Sequence, residues 1–189
     1  MPPADSVWIP AFAGMTNNMK TLFLLRHAKS SWNDPAREDH DRPLNERGRL
    51  SAPVAGQYLL DRGLIPDLIL CSTALRARET LERAVRLWPR QVETHYEKNL
   101  YLAPPHKILQ RAHKVSDGVS RLLMVGHNPG YEALACELSG HGDPDAIKRI
   151  HEKFPTAGLA VIGFDVLHWR DLARGDGNLL AFVAPRDLI

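Results

Sequence analysis

The sequence predicts an α/β protein, a three-layer α/β/α sandwich whose mostly parallel central sheet is covered by helices. Three observations predict it. Strand and helix signals alternate from Met19 onward. Thr21–Leu25, Asp67–Cys71 and Arg121–Gly126 are short apolar runs with little alternation, the pattern of strands buried on both faces. Longer capped or amphipathic stretches lie between them, and no internal repeat, long linker or charge run interrupts the series.

Each element has its reason. Thr21–Leu25 leads into Arg26-His27, and Ala28–Pro43 is then polar and loop-like. Asn45-Glu46 opens a helix to Arg62, where Gly63 can close it. Pro53 should kink or split that helix. After the strand Asp67–Cys71, Ser72-Thr73 starts an amphipathic helix to Trp88. It sets Ala77, Leu81, Ala84, Val85 and Trp88 at helical spacing, with Arg78, Glu79, Glu82 and Arg86 elsewhere. Val92–Tyr96 reads as a strand, and Pro104-Pro105 begins a helix to Val115. Pro129, after the strand Arg121–Gly126, suits the first position of a helix ending near Gly140. Asp143–Lys153 reads as a helix, and Leu159–Phe164 and Leu179–Ala184 as late strands.

Composition narrows the function. Of 189 residues 44% are hydrophobic, enough for a packed core, which excludes a disordered or low-complexity chain. The net charge of +2 is too small a basic excess for a nucleic-acid binder. The 24 cationic residues comprise 17 Arg and 7 Lys. Arg presents a planar fork of donors to oxyanions, so the skew hints at phosphate or carboxylate chemistry, although a GC-rich coding bias would also produce it. Cys71 and Cys136 sit in apolar neighbourhoods and read as buried free thiols, which fits a reducing cytoplasm. No stretch approaches the roughly 18 apolar residues of a membrane span. Met1–Asn18 has one charge, Asp5, and no basic segment ahead of its apolar patch, and Pro2, Pro3, Pro10 and Gly14 break any helix. It reads as an extension from a misassigned start codon, or as a disordered arm, rather than as a signal peptide. Residues 19–189 are then the folded domain.

Sheets of this kind place ligands at the carboxyl ends of their strands. There the sequence sets Arg26-His27, then Ser72-Thr73-Ala74-Leu75-Arg76, then Gly126-His127-Asn128-Pro129-Gly130. Helix N-termini favour acidic side chains. With Thr73 as N-cap, Arg76 falls at N3, where a capping box takes Glu or Gln, and His127 precedes the N-cap candidate Asn128. Cations on positive dipole ends serve stability poorly and an oxyanion well. A single histidine or arginine in such a place is usually an ordinary polar residue; four at three strand ends are hard to read that way. The chain has no GxGxxG, GxxxxGK[ST], CxxC or HExxH, which leaves nucleotide loops and metal sites unsupported. His40, His95, His106, His113, His141, His151 and His168 read as surface residues, and only His40 has some claim to border the pocket.

These residues carry a family signature. Leu24-Leu25-Arg26-His27-Ala28-Lys29-Ser30 resembles the Arg-His-Gly opening of the histidine phosphatase superfamily, which includes the phosphoglycerate mutases. Trp32-Asn33 stands where many members carry Trp-Asn. Asp41-Arg42-Pro43-Leu44-Asn45-Glu46-Arg47-Gly48 resembles the Pro-Leu-Thr-x-x-Gly segment. Ser72-Thr73-Ala74-Leu75-Arg76-Ala77-Arg78-Glu79-Thr80 is similar to the Ser-x-x-x-Arg-Ala-x-x-Thr motif. Val125–Gly130 resembles the second-histidine motif. Gly-His-Asn-Pro-Gly, the compact length and Phe154–Gly158 ahead of a strand point to the SixA-like branch, the bacterial phosphohistidine phosphatases.

The resemblance implies a phosphoglycerate mutase-like fold and a phosphatase acting through a phosphohistidine enzyme. His27 is then the nucleophile. Arg26, Arg76 and His127 hold the phosphoryl oxygens, Asn33 adds a neutral donor, and neither cofactor nor metal is needed. The implied substrate is phosphohistidine on a histidine phosphotransfer protein, and the implied partners include neither nucleic acid nor membrane; a monomer is expected. The alternatives are a phosphatase of small phosphorylated substrates or a mutase, and a non-catalytic phosphoprotein-binding module. Three departures bear on these. Ala28 replaces the usual Gly. Lys29 stands where mutase-like members carry Glu, which weighs against mutase chemistry. The catalytic acid has no clear position; Glu97 is the nearest match, with Asp41 a further option.

Overall fold

Continuous burial along the apolar runs sets the architecture. The computed structural model describes residues 19–187; the expected extension over residues 1–18 lies outside them. In chain order the elements are β1 (Lys20–Arg26), α1 (Glu46–Asp61), β2 (Leu68–Ser72), α2 (Leu75–Ala84), β3 (Glu93–Glu97) and α3 (Pro105–Ala112). Then come β4 (Arg121–Gly126), α4 (Gly130–Leu138), β5 (Ser139–Gly142), α5 (Pro144–Glu152), β6 (Leu159–Phe164) and β7 (Gly177–Val183).

The strands form one sheet in the order β3-β2-β4-β1-β6-β7-β5. Pairing is parallel for β3 with β2, β2 with β4, β4 with β1 and β7 with β5, and antiparallel where β6 lies between β1 and β7. The expected mostly parallel α/β sheet is therefore present. Successive residues of β1 feed opposite faces, as a pleated strand requires. Leu22 and Leu24 join Ile108, Leu134 and Ile150 of α3, α4 and α5. Phe23 and Leu25 join Tyr58, Leu59 and Leu81 of α1 and α2. Helices thus cover both faces in three layers.

Several elements depart from the sequence reading. Helix α1 runs through Pro53 as one element. The proline removes one N–H, and the carbonyl it orphans belongs to Arg49, an exposed residue that water can satisfy. Helix α2 begins at Leu75 with Ala74 as N-cap, so Arg76 sits at N2 rather than N3. The helix gives way after Ala84, because the Trp88 indole N–H donates to the Gly56 carbonyl of α1 at 3.0 Å and folds the next turn inward. Helix α4 likewise starts at Gly130, with Pro129 as its N-cap. Ser139–Gly142, where that helix is expected to end near Gly140, is the short strand β5; its two glycines disfavour helix, and Gly140 lets the backbone lie close to Gly175. Cys71 is buried, and Cys136 is only half-buried; both are free. No helix among the described residues is long and apolar enough to cross a membrane.

Candidate active site

Three parallel strands deliver the site. Arg26 of β1 lies level with Gly126 of β4, and Cys71 of β2 lies level with Val125. The next residues along β1 and β4, His27 and His127, are therefore neighbours, with ring centroids 5.0 Å apart and planes tilted by 52°. Arg76 enters from the first turn of α2, and its Nε–H donates to Nε2 of His27 at 3.3 Å.

Hydrogen bonding fixes the tautomers. Nδ1 of His27 stands 2.7 Å from the Ala28 carbonyl, which can only accept. Nδ1 therefore carries the proton, and Nε2 keeps the lone pair toward which Arg76 points. Around His127, the Ser72 hydroxyl accepts from the Ala74 amide at 3.3 Å, and its own hydrogen goes to Nε2 of His127 at 2.8 Å. That places the His127 proton on Nδ1. Both rings are neutral. Burial lowers His27 to about 3, against its bond to Ala28 and helped by Arg76, Arg26 and Arg42. Burial, then His27 and Arg76, lower His127 to about 2.

Two buried donors, Nε of Arg26 and Nδ1 of His127, have no partner among the described residues. Unpaired buried donors are costly, and their place at adjoining strand ends makes a cradle for an anion's oxygens. Arg26 is aimed by its other arm, since Nη1 donates to the Phe154 carbonyl at 2.6 Å.

The loop between β1 and α1 supplies what sequence reasoning missed. Asp39 lies in a 3-10 turn (Asp39–Asp41) and accepts from Arg76 Nη2 at 2.9 Å, Arg42 Nη1 at 2.7 Å and the Tyr101 hydroxyl at 2.5 Å. Partial burial opposes its ionisation, but the Tyr101 hydroxyl and the two guanidiniums outweigh it and hold the carboxyl far below the usual carboxylate range. Arg42 also donates to the Ser30 hydroxyl and stacks under Trp32, 3.1 Å from the ring centroid. His40 does border the cluster: it meets Thr73 Oγ1 at 3.0 Å and the edge of Tyr101, whose ring stands 5.3 Å from His127. No pattern in the polar, aperiodic run Ala28–Pro43 marked Asp39, and Arg42 stood in a motif segment that gave it no role.

Packing explains the motif residues that do no chemistry. Thr80 Oγ1 accepts the Ala28 amide at 2.9 Å and donates to the Arg76 carbonyl at 2.6 Å, tying the chain just past β1 to helix α2. The Ala28 methyl, which stands in place of the usual Gly, fills a small apolar pocket with Leu44, Ala52 and Ala157. Gly48 is required because a Cβ there would lie 2.1 Å from the Lys29 carbonyl.

The structure thus brings together Arg26, His27, Arg76 and His127. It does not bring in Asn33 or Glu97. Asn33 is exposed, and among the described residues only its backbone N–H is bonded, to the Ser31 hydroxyl at 3.2 Å. The Glu97 carboxylate is clamped by Arg111 of α3, with Nε at 2.8 and 2.9 Å from its two oxygens. Asp41 is exposed and paired with His40 at 3.0 Å.

The family model of the histidine phosphatase superfamily (branch 1) matches residues 22–100. An uncharacterized protein of Mycobacterium tuberculosis is 42% identical over 164 residues, spanning 86% of this chain and 100% of that protein. Two solved structures, candidate phosphohistidine phosphatases SixA from Nakamurella multipartitia and Agrobacterium tumefaciens, are each 33% identical and cover 88% of this chain. Their TM-scores are 0.75 and 0.73, over 96% and 98% of their own lengths. The chain belongs to the histidine phosphatase superfamily. Within that superfamily it falls in the SixA-like branch.

Proposed function

We propose that the chain is a phosphohistidine phosphatase that removes phosphate from a histidine phosphotransfer protein, acting as a monomer in the cytoplasm. The observation that carries the reading is the His27 tautomer: a neutral ring with Nδ1 held by Ala28 and an unprotonated Nε2 that accepts a long bond from Arg76. A neutral imidazole is the form that attacks phosphorus. Nε2 attacks in line, the new P–N bond forms, and the substrate's own P–N bond breaks. Water then cleaves the enzyme's phosphohistidine to release inorganic phosphate.

Arg26, Arg76 and the Nδ1–H of His127 take the phosphoryl oxygens and the charge that spreads over them in the transition state. These cationic and N–H donors supply the stabilisation without a metal. The substrate class is read from the acids. An alkoxide leaving group needs a proton from a placed acid, whereas an imidazole leaves more readily and can take its proton from solvent. Asp39, a carboxylate that reaches the cluster, is held ionised, and Glu97 is committed to Arg111. That combination favours a nitrogen–phosphorus bond over a phosphate ester.

The test is His27→Ala. Its expected turnover of phosphohistidine is lower by at least about a thousandfold, with the fold intact by circular dichroism. Wild-type protein mixed with 32P-labelled substrate should trap a label that is acid-labile and alkali-stable. A variant that keeps wild-type activity overturns the reading.

A further inference from the structure

Beside the histidine cluster opens a second cleft, of about 170 Å3. Pro155 and Phe182 give it an apolar lining, and Arg47, Arg149, Lys153 and Arg186 surround them. Two carboxylates oppose these cations: Glu152, which also lines the cleft, and Asp187, which pairs with Arg149 and lies 3.8 Å from Arg186. Among the described residues no carboxylate lies within ion-pairing distance of Arg47 or Lys153. The cleft is therefore cationic at its rim and apolar within.

Sheet register places it relative to the chemistry. Leu25, Leu159 and Val183 stand abreast across β1, β6 and β7. Arg26 and Ala184, the next residues of the outer two strands, thus leave the sheet at one level and on one side. Two strand spacings separate them, roughly 10 Å. The loop Phe154–Gly158 belongs to both places. The Phe154 carbonyl holds Arg26, while its ring stacks edge-on against Phe182 at 5.3 Å. Pro155 and Thr156 line the cleft, and the Ala157 amide donates to the carbonyls of Arg26 and His27, each at 3.1 Å.

We propose that this cleft is a second recognition site, which holds an acidic segment flanking the phosphorylated histidine of a protein substrate. The proposal rests on the phosphohistidine phosphatase reading and adds a specificity determinant to it. Charge selects the occupant, since free cations at the rim call for carboxylates. Distance selects a polypeptide: an extended chain advances roughly 3.3–3.6 Å per residue, so an acidic residue three positions from the phosphohistidine spans the separation. A small phosphorylated molecule seated on His27 has no flanking residue to place there.

Two synthetic phosphohistidine peptides test it, one with Glu three residues to either side of the phosphohistidine and one with Gln there. The wild-type protein should favour the Glu peptide about tenfold in kcat/KM, through KM, with the advantage shrinking as salt is added. Arg47→Glu/Lys153→Glu should abolish that preference and leave the Gln peptide's rate unchanged. A preference that survives the double substitution, or that the wild type never shows, overturns the proposal. Fluorescence anisotropy of the labelled, unphosphorylated Glu peptide reads the cleft without catalysis, and the double variant should bind it about tenfold more weakly. If that binding difference appears but neither phosphopeptide is hydrolysed, the cleft stands and the phosphatase reading falls. If both are hydrolysed equally, the reverse holds. Tighter binding of an oligonucleotide of equal charge would also overturn it.

Discussion

Asp39 grips Arg76 twice, its carbonyl taking Nη1 at 2.5 Å and its carboxylate taking Nη2 at 2.9 Å. The same carboxylate bonds Arg42 and Tyr101, so one side chain both orients the buried guanidinium and competes with any anion for it. Asp39→Asn keeps the shape and removes the charge. Inorganic phosphate and vanadate should then inhibit a few-fold more tightly, because a competing anion is gone. The value of kcat should fall about tenfold, because Arg76 loses a charged anchor worth on the order of 1–3 kcal/mol. Inhibition constants and kcat measured side by side check this; an unchanged kcat would mean that Asp39 does not position Arg76.

The two neutral histidines make stability depend on acid. In the unfolded chain each titrates near 6.5, whereas in the folded protein His27 is at about 3 and His127 at about 2. Between those limits the unfolded state binds protons that the native state does not, so stability falls as pH drops below 6.5. Each histidine contributes a slope of up to about 1.4 kcal/mol per pH unit. Asp39, whose folded pKa is depressed, adds its own loss only below its unfolded value of 3.8. Urea unfolding between pH 7 and pH 5 should show the slope, and His127→Asn should remove about half of it. The profile of kcat/KM should show no acid limb from His27 near 6.5.

Glu97 supplies a structural pair rather than a proton. Its ion pair with Arg111 joins the end of β3 to α3, with the two side chains 17% and 20% exposed. Glu97→Gln should lower stability by about 1 kcal/mol and leave phosphohistidine turnover within about twofold. A loss beyond tenfold would return this carboxylate to the chemistry.

Gly126 ends β4 immediately before His127, and a Cβ there would stand 2.4 Å from the Tyr131 ring. Tyr131 is fully buried and has little room to yield. Gly126→Ala should cost about 1–3 kcal/mol through overpacking and displace His127 from its bond to Ser72, with kcat falling as well as the melting temperature. Loss of stability alone, with kcat preserved, would show that the backbone absorbs the strain without moving the ring.

The four cationic and imidazole groups were legible because strand periodicity fixes where a buried strand stops, and the residues just past a strand's carboxyl end in an α/β sheet face the ligand side. Asp39, Arg42 and Tyr101 were not. The first two lie in an aperiodic loop and the third in a turn after an edge strand, and their approach to Arg76 depends on tertiary closure across 37 residues from Asp39 to Arg76. Glu97 misled for the opposite reason: it stands at a strand end, level with Ser72, yet its side chain turns away to a cation contributed by α3. Ser139–Gly142 escaped because a glycine-rich tetrapeptide has too little side chain to show a period of two.

The margins of the sheet carry a consequence for assembly. On one side lies β3, which presents the exposed Glu93 and His95 and, at its end, the half-buried carboxylate of Glu97. On the other lies β5, four residues long, half glycine, and out of register with β7 between Ser139 and His141. A neighbouring molecule seeking a strand to extend would meet charge at one border and a bulged stub at the other. Both borders of the sheet are thereby poor templates for strand addition.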